Sequence, residues 1–148
     1  MANKWWEDFK VGEEVVTSSI TVTETHLVNG GCLTMNFHPI HMDEEHAKKT
    51  IFKGRIVPGP LIFAMATGLS YMTGFSGASV LAWLGVDNLK VPAPVRIGDT
   101  IRLHAKVKEK RETKDPSRGI VKFFWDIKNQ RDETVMTLDY ILMTHRKP

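Results

Sequence analysis

The stretch LTMNFHPIHMDEEHAKKTIFKGRIVPGPLIFAMATG, residues 33–68, contains the segment on which the fold depends. Pro58, Gly59 and Pro60 break the chain, and a proline such as Pro60 is well suited to the first turn of a helix. The residues that follow, through Met72, are apolar on nearly every face of a helix. Because a helix that is apolar all round is normally buried, the sequence predicts a buried central helix that starts at Pro60.

The second half of the chain has the pattern of β-strands. Apolar and polar residues alternate with a period of two, most cleanly over residues 101–108 and 121–128. The four predicted strands are residues 80–89, 100–110, 119–130 and 134–146. One buried helix and one long antiparallel sheet make an α+β layer arrangement, and 148 residues are enough for one domain with a core. We therefore expect a single domain over residues 1–148.

The first half contains a shorter strand and further helices. Residues 15–22 are rich in β-branched side chains and predict a strand. Thr21 and Glu24 have the spacing of a capping box, which would start a helix over residues 24–34. Gly30 and Gly31 inside this helix cost about 1 kcal/mol each relative to alanine, so we expect another backbone to approach closely there.

The composition is that of an ordinary soluble globular protein, with 42% hydrophobic and 25% charged residues. The net charge of +3 comes from scattered basic residues, which suits anionic small molecules better than a nucleic-acid partner. The single cysteine, Cys32, rules out an internal disulfide, suits a reducing compartment and is expected to be a small core residue. Neither a signal-peptide pattern nor a run of roughly twenty apolar residues is found, so we expect a cytoplasmic protein without a membrane partner.

Three histidines and three carboxylates fall within residues 38–46, and residue types that bind metals are among them: His38, His41, Asp43 and His46. Pro39 pushes His38 into an extended conformation, and Asp43 is expected to cap a separate short helix over residues 44–49. The three rings would then not share one helical face, which argues against a metal site.

Two other interpretations of the cluster stay open. In the first, His41 moves a proton near neutral pH, while the unpaired amides at the start of the central helix, after Gly59, bind a developing oxyanion. In the second, His41 is only a hydrogen-bonded residue of a polar turn. The residues alone do not decide between them.

The chain resembles a known family in these same residues. Residues 34–43 and 55–59 resemble the hydratase motif of MaoC-like dehydratases, which are hot-dog folds related to R-specific enoyl-CoA hydratases. Residues 6–12, 21–24 and 91–100 resemble further parts of the family, so nearly the full chain is covered. The resemblance implies a single hot-dog domain in which a long antiparallel sheet wraps around a buried central helix.

The resemblance also implies a reaction and its residues. In the family, an Asp and a His flank a water that adds across the double bond of a trans-2-enoyl-CoA, or leaves in the reverse dehydration. By position the His is His41, and the glycine whose amide lies near the thioester oxygen is Gly59. The usual Gly–Asp pair is here Met35 and Asn36, and a carboxamide cannot accept a proton as the catalytic carboxylate does. His38 is a further candidate for substrate binding and for taking over the proton.

A homodimer or higher homo-oligomer is also expected. The family joins two sheets, and apolar strand residues such as Val121, Phe123 and Trp125 exceed what one buried helix can cover.

Three functions are compatible with these observations. The first is a hydratase or dehydratase of 2-enoyl-CoA and 3-hydroxyacyl-CoA thioesters, with His41 and Asn36 in the catalytic positions and Asn36 weakening the activity. The second is a catalytically weak homologue that binds acyl thioesters. The third is a hot-dog acyl-CoA thioesterase in which Asn36 and His41 hold the attacking water. All three imply an acyl-CoA or acyl-carrier thioester partner, with coenzyme A as part of the substrate and no metal or other cofactor.

Overall fold

The computed structural model of the protein describes residues 4–148, so the first three residues of the expected domain lie outside the described residues. After a short 3-10 helix at Trp6–Asp8, the helices are α1 Glu24–Thr34, α2 Pro39–Met42, α3 Glu44–Lys48 and α4 Gly59–Thr73. The strands are β1 Glu14–Val16, β2 Ile20–Thr21, β3 Val80–Lys90, β4 Thr100–Glu112, β5 Arg118–Lys128 and β6 Thr134–His145.

The strands form an antiparallel sheet in the order β1-β4-β5-β6-β3, and β2 pairs with the beginning of β4. Helix α4 packs against one face of this sheet, where its Ile62 and Ala66 join the core. Alternate residues of β4 and β5 are buried in the same core: Ile101, Leu103, Ala105, Val107, Val121, Phe123, Trp125 and Ile127. The predicted α+β class, with a long antiparallel sheet around a central helix, is confirmed.

The predicted strand over residues 15–22 is two short strands, β1 and β2. Between them, the Thr17 side chain takes over a backbone bond, because its Oγ1 atom accepts the Leu103 N–H at 3.0 Å. The same hydroxyl donates to the Ser18 carbonyl at 2.7 Å. The Thr17 N–H still donates to the Leu103 carbonyl at 2.9 Å, so one of the two ladder bonds is kept and the other is replaced by the side chain. The prediction of one continuous strand was wrong because the regular pairing stops at this residue.

Helix α1 has the predicted bounds, but its cap is different. The Thr23 hydroxyl accepts the His26 N–H at 3.4 Å, and the His26 ring accepts the Thr23 N–H at 3.0 Å. Thr21 is instead part of β2, with its hydroxyl 2.8 Å from that of Thr100. The predicted capping box of Thr21 and Glu24 was therefore wrong, whereas the predicted cap of α3 by Asp43 is confirmed by a 2.9 Å bond from the His46 N–H.

The two glycines of α1 allow close packing, but against side chains rather than another backbone. A Cβ atom on Gly30 would lie 2.9 Å from Leu61 Cδ2 of α4, and one on Gly31 would overlap Met42 Cε of α2. Cys32, predicted to be a core residue, is exposed because the buried position beside it is occupied by Gly31.

Helix α4 is buried on one face only. Ile62, Ala66 and Leu69 point into the core, whereas Tyr71 is 67% exposed and Met72 is 73% exposed. The prediction of a helix buried all round was wrong for a single chain, because the sheet covers one side of the helix. No helix within residues 4–148 is long enough and apolar enough to span a bilayer.

The apolar residues left uncovered are not the ones that the sequence indicated. Val121, Phe123 and Trp125 are each at most 2% exposed, because α4 and its neighbours cover them fully. One group of exposed apolar side chains instead follows the edge strand β3 and its end: Val80, Leu81, Trp83, Leu84, Leu89 and Val91. Others lie on the first half of the chain, at the end of α4 and on β5.

One buried carboxylate ties three strands together. Asp139 of β6 is 2% exposed, and it accepts hydrogen bonds from Lys108 of β4 at 2.7 and 2.8 Å and from Asn88 of β3 at 2.8 Å. Burial raises the pKa of Asp139, but the bonds from Lys108 and Asn88 outweigh it, so the pKa lies below its usual value. The charged form of Asp139 is therefore stabilised by folding.

Replacing this carboxylate should cost stability in a pH-dependent way. Asp139→Asn is expected to lower the free energy of unfolding by about 1–3 kcal/mol at neutral pH, because the Lys108 ammonium loses its charged acceptor. Since folding lowers the pKa of Asp139, its contribution is complete above the unfolded value of about 3.9 and is lost as the pH falls through the folded value. The difference between wild type and variant should therefore shrink in acid.

Urea denaturation at fixed protein concentration, at neutral pH and at about pH 3, measures both values. Asp87→Asn is a matched control on β3, because the Asp87 side chain is 53% exposed and lies 3.2 Å from Lys122. Its effect should stay within about 0.5 kcal/mol. An Asp139→Asn cost that is the same at both pH values would contradict the prediction.

Candidate active site

His41 lies in α2, and the backbone holds its ring. The Nδ1 atom is 2.7 Å from the carbonyl oxygen of Ile56. Because a carbonyl oxygen can only accept, Nδ1 carries the proton and donates this bond. The Nε2 atom is left with a lone pair, so the fixed tautomer prepares His41 to accept a proton there.

The acceptor of this bond is itself held in place. The Ile56 N–H donates to the Ile40 carbonyl at 3.3 Å, and the Val57 N–H donates to the Val95 carbonyl at 2.8 Å. Beside them, the Arg55 guanidinium donates to both carboxylate oxygens of Glu24, at 2.9 and 2.8 Å. This pairing raises the pKa of Arg55 and lowers the pKa of Glu24, although burial opposes both shifts. Residues 55–57 are therefore fastened to α1, to α2 and to the loop that contains Val95.

Gly59 provides a free backbone donor at the start of α4. The N–H groups of Leu61 and Ile62 both donate to the Pro58 carbonyl, at 3.0 and 3.2 Å. Pro60 has no N–H, so Gly59 is the residue of this first turn whose N–H has no acceptor within residues 4–148. An N–H at the positive end of a helix dipole is suited to a developing negative charge.

The protein itself leaves room for a side chain at Gly59. Its φ angle is not in the positive range, and a Cβ atom there would make ordinary contacts, 3.9 Å from both Met136 Cε and Val91 Cγ2. Neither the backbone conformation nor the packing of the chain therefore requires glycine. The space that glycine leaves open belongs to a cavity.

Two cavities adjoin at Gly59 and Val91, which line both. The first has a volume of about 250 Å³ and is lined by His41, Phe52, Ile56, Val57, Gly59, Ile62 and residues 91–95. The second has a volume of about 300 Å³ and is lined by Gly59, Pro60, Phe63, Leu89, Val91 and Met136. A space with an imidazole and a free amide thus continues into one that is lined by apolar side chains.

Asn36 lies in a tight turn after α1 and lines neither cavity. Met35 ends α1 in the left-handed conformation, with φ 56° and ψ 22°, and the Phe37 N–H donates to the Met35 carbonyl at 3.1 Å. This conformation favours glycine and costs another residue about 1–2 kcal/mol. The turn thus has the backbone that suits the family's glycine, although Met35 occupies it.

His38 is exposed and also lies outside the lining of both cavities. Its backbone is extended, with φ −57° and ψ 133°, as the following proline predicts. The Nδ1 atom accepts the Ile40 N–H at 3.2 Å, and the ring centre lies 6.1 Å from that of His41. The structure therefore brings His41 and Gly59 to one cavity and leaves Asn36 and His38 outside its wall.

The candidate metal ligands are distributed over separate elements. His38 caps α2, His41 lies within α2 and His46 lies in α3, where Asp43 is occupied as the cap. Within residues 4–148, no three His, Cys, Asp or Glu side chains lie close enough together to hold a metal ion.

Several residues of the site were not predicted from the sequence. Ile56 orients His41 through its carbonyl group, which every residue has, so no side-chain pattern could indicate it. Phe52, Leu89 and Met136 line the cavities from three separate parts of the chain. For residues 91–95, the closely spaced Pro92 and Pro94 indicated a fixed segment and the family resemblance covered it, but neither predicted that it lines a cavity.

Residues 8–123 match the family described as MaoC like domain. The chain is 35% identical over 107 residues to the protein MaoC of Klebsiella aerogenes, covering 72% of this chain and 31% of that protein. It is 34% identical over 97 residues to an (R)-specific enoyl-CoA hydratase of Rhodospirillum rubrum, covering 66% of this chain and 65% of the hydratase. The chain spans less than two thirds of the length of either relative.

The structure is similar to that of an Archaeoglobus monoamine oxidase regulatory protein, with a TM-score of 0.94 and 36% identity over 99% of this chain and 97% of the other. It also resembles a Mycobacterium tuberculosis protein with a double hot-dog fold, with a TM-score of 0.87 over 99% of this chain and 45% of the other. At 17% identity, the second likeness concerns the fold alone. The chain belongs to the MaoC-like domain family, and its architecture is the hot-dog fold.

Proposed function

We propose that the protein is a hydratase or dehydratase of 2-enoyl and 3-hydroxyacyl thioesters. The observation that carries the proposal is the pairing of two groups on one cavity: the His41 ring, whose Nε2 is left free to take a proton, and the free N–H of Gly59. The adjoining apolar cavity suits an acyl chain. The substrate class is further supported by the (R)-specific enoyl-CoA hydratase among the relatives.

In the hydration direction, His41 Nε2 takes one proton from a water molecule while the water oxygen bonds to C3 of the enoyl thioester. The electrons of the C2–C3 double bond move toward the thioester carbonyl, whose oxygen becomes negative and accepts the Gly59 N–H. The imidazolium then returns its proton to C2, so the water is divided between the two carbons. Dehydration is the reverse. Coenzyme A enters as part of the substrate, and these steps use no metal or other cofactor.

We expect Asn36 to make the hydration reaction slow. A carboxamide can hold a water by accepting and donating hydrogen bonds, but it cannot take the proton that a carboxylate would take. A general acid or base contributes about 10²–10⁴ in rate, so the loss of one such group leaves a slow reaction through His41. The same feature supports the second candidate, a protein that binds acyl thioesters and turns them over poorly.

Asn36→Asp should restore the missing base with almost no change in volume. Because aspartate has the shape of asparagine, the new carboxylate should take the place of the Asn36 side chain in the left-handed turn that ends α1. Hydration of a short or medium 2-enoyl-CoA is expected to rise by up to about 100-fold. The measurement is the loss of ultraviolet absorbance of the conjugated thioester, with a free-thiol assay in parallel.

Controls distinguish the candidate functions. His41→Ala should abolish both the wild-type activity and the gain in the double variant, because both groups act on one water. Met35→Gly, which relieves the backbone and leaves Asn36 in place, should not raise the rate. Acyl-CoA binding without turnover in either form would favour the binding protein, and release of free thiol would favour the thioesterase.

Gly59→Val should block the site from the backbone side. The added side chain would enter the cavity where the thioester oxygen approaches the amide, so turnover should fall by about 100-fold or more, as for the loss of an oxyanion donor. Gly59→Ala should have a smaller effect in the same direction. Kinetics, circular dichroism and light scattering on the same samples separate lost activity from lost fold.

Gly68→Ala is the matched control in the same helix, because a Cβ atom added at Gly68 would have open space around it. It should leave turnover unchanged. A folded Gly59→Val protein with wild-type turnover would remove Gly59 from the site.

We further propose that two copies of the chain associate through β3. This strand is an edge of the sheet, and its exposed side chains include Trp83 at 55%, Leu84 at 46% and Leu89 at 49%. A long apolar edge is a template for pairing with another strand, and an antiparallel pair of identical strands has two-fold symmetry. The two hot-dog units in the Mycobacterium tuberculosis protein support an association of this kind.

Light scattering at micromolar concentration should give a mass near twice the chain mass of 16.8 kDa. Leu84→Lys should shift the mass toward one chain, because a lysine on an edge strand opposes pairing. Val11→Lys is the control, since Val11 is 64% exposed in a turn away from β3. A wild-type mass of one chain would refute the association. A Leu84→Lys protein that still has the mass of two chains would show that the contact lies elsewhere.

A further inference from the structure

His38 makes both the backbone and the side-chain bonds that start α2. Because Pro39 has no N–H, Ile40 provides the first free amide of this one-turn helix, and His38 Nδ1 accepts it at 3.2 Å. The His38 carbonyl accepts the N–H groups of His41 at 2.9 Å and Met42 at 3.3 Å. The amide groups at the beginning of α2 therefore all depend on His38.

The cap is connected to the His41 ring through two backbone groups. Ile40, whose N–H is bound by His38, accepts the Ile56 N–H on its carbonyl at 3.3 Å. Ile56 in turn accepts the His41 Nδ1 proton at 2.7 Å. A continuous set of hydrogen bonds thus runs from the His38 ring, through Ile40 and Ile56, to the ring of His41.

Histidine is an unusual residue at the N-cap of a helix, the position that His38 occupies in α2. Asn, Asp, Ser and Thr are the preferred N-caps, and a side-chain cap is worth about 0.5–2 kcal/mol. A single turn of helix is not stable by itself, so a cap of this size contributes to holding α2 beside the backbone bonds of Ile40 and His38. The Ile40 bond also fixes the tautomer: Nδ1 is the acceptor, so the neutral His38 ring carries its proton on Nε2.

We propose that His38 is a positioning residue that acts through His41 and does not touch the substrate. By holding the Ile40 amide, it keeps α2 and the Ile56 carbonyl in register, so that His41 Nε2 stays free for the proton. This assignment rests on the proposed function of His41 and replaces the expectation that His38 binds substrate. It agrees with the exposure of His38 and with the use of its Nδ1 atom by the Ile40 N–H.

The test compares His38→Ala, which removes the acceptor, with His38→Asn, which supplies another acceptor at the cap. Two readouts do not require activity: hydrogen exchange of the Ile40 amide, and the tautomer of His41 from nitrogen-15 NMR of the imidazole. The third readout is the division of any kinetic change between kcat and KM for a 2-enoyl-CoA. His46→Ala is the matched control, because His46 is an exposed histidine in the neighbouring helix α3.

In His38→Ala, exchange of the Ile40 amide should speed up about tenfold, consistent with the loss of a typical cap. The His41 Nδ1 proton should become labile, and kcat should fall about tenfold with KM nearly unchanged. His38→Asn should restore all three readouts to within about threefold of wild type, again from the capping range. His46→Ala should change none of them.

Two results would overturn the proposal. Unchanged Ile40 exchange and an unchanged His41 tautomer in His38→Ala would show that the cap does not hold the site. A His38→Asn protein with restored exchange but a low kcat would show that the imidazole takes part in the chemistry itself. If the wild-type protein turns over no 2-enoyl-CoA, the proposed function fails, and the exchange and tautomer readouts alone decide the positioning role.

Discussion

The hydrogen bonds of Ile56 and Val57 hold the candidate site together. On one side this short segment exchanges bonds with α2, and on the other it is tied to Val95, while the Val57 side chain is 3% exposed in the core. Each bond contributes about 0.5–1.5 kcal/mol, and leaving a buried group unpaired costs about 1–3 kcal/mol. Because Pro58 and α4 follow directly, the orientation of the His41 ring, the wall at residues 91–95 and the entry into α4 all depend on this segment.

The sequence was sufficient where local chemistry decides the structure. The four long strands were readable because the period of two is a local signal, and Pro60, a chain breaker, marked the start of α4 to within one residue. The bounds of α1 were also correct, although the capping box from which they were predicted was not. What could not be predicted involves partners far along the chain. The Thr17 hydroxyl replaces a ladder bond to Leu103, and the His41 ring finds the carbonyl of Ile56. The exposed face of α4 could not be foreseen either, because hydrophobicity predicts burial without saying which molecule provides the cover.

The Gly–Asp pair of the family motif combines a left-handed backbone with a negative charge, and Met35 and Asn36 keep only the first of these. The left-handed backbone of the turn is kept, and Met35 accepts an energetic cost of about 1–2 kcal/mol to keep it. The negative charge is not kept, because Asn36 has none. The family resemblance identified His41 and Gly59, and the cavity contains both, but neither the resemblance nor the fold determines how fast a reaction without that carboxylate would run.

The missing N–H of Pro60 has a stereochemical consequence. In the proposed reaction, the Gly59 N–H at the start of α4 would hold the thioester oxygen by one hydrogen bond, about which the rest of the substrate could rotate. The handedness of the product would then be set by the cavity walls, which include residues 91–95, Phe63 and His41. In the proposed reaction, His41 takes the proton of the water and returns it to C2 from its own side of the double bond, so the addition would be syn, and the face of C3 that meets the water would fix the enantiomer. The stereochemical purity of the product would then depend on the van der Waals shape of the walls. Replacing one purely apolar wall residue would be enough to lower it.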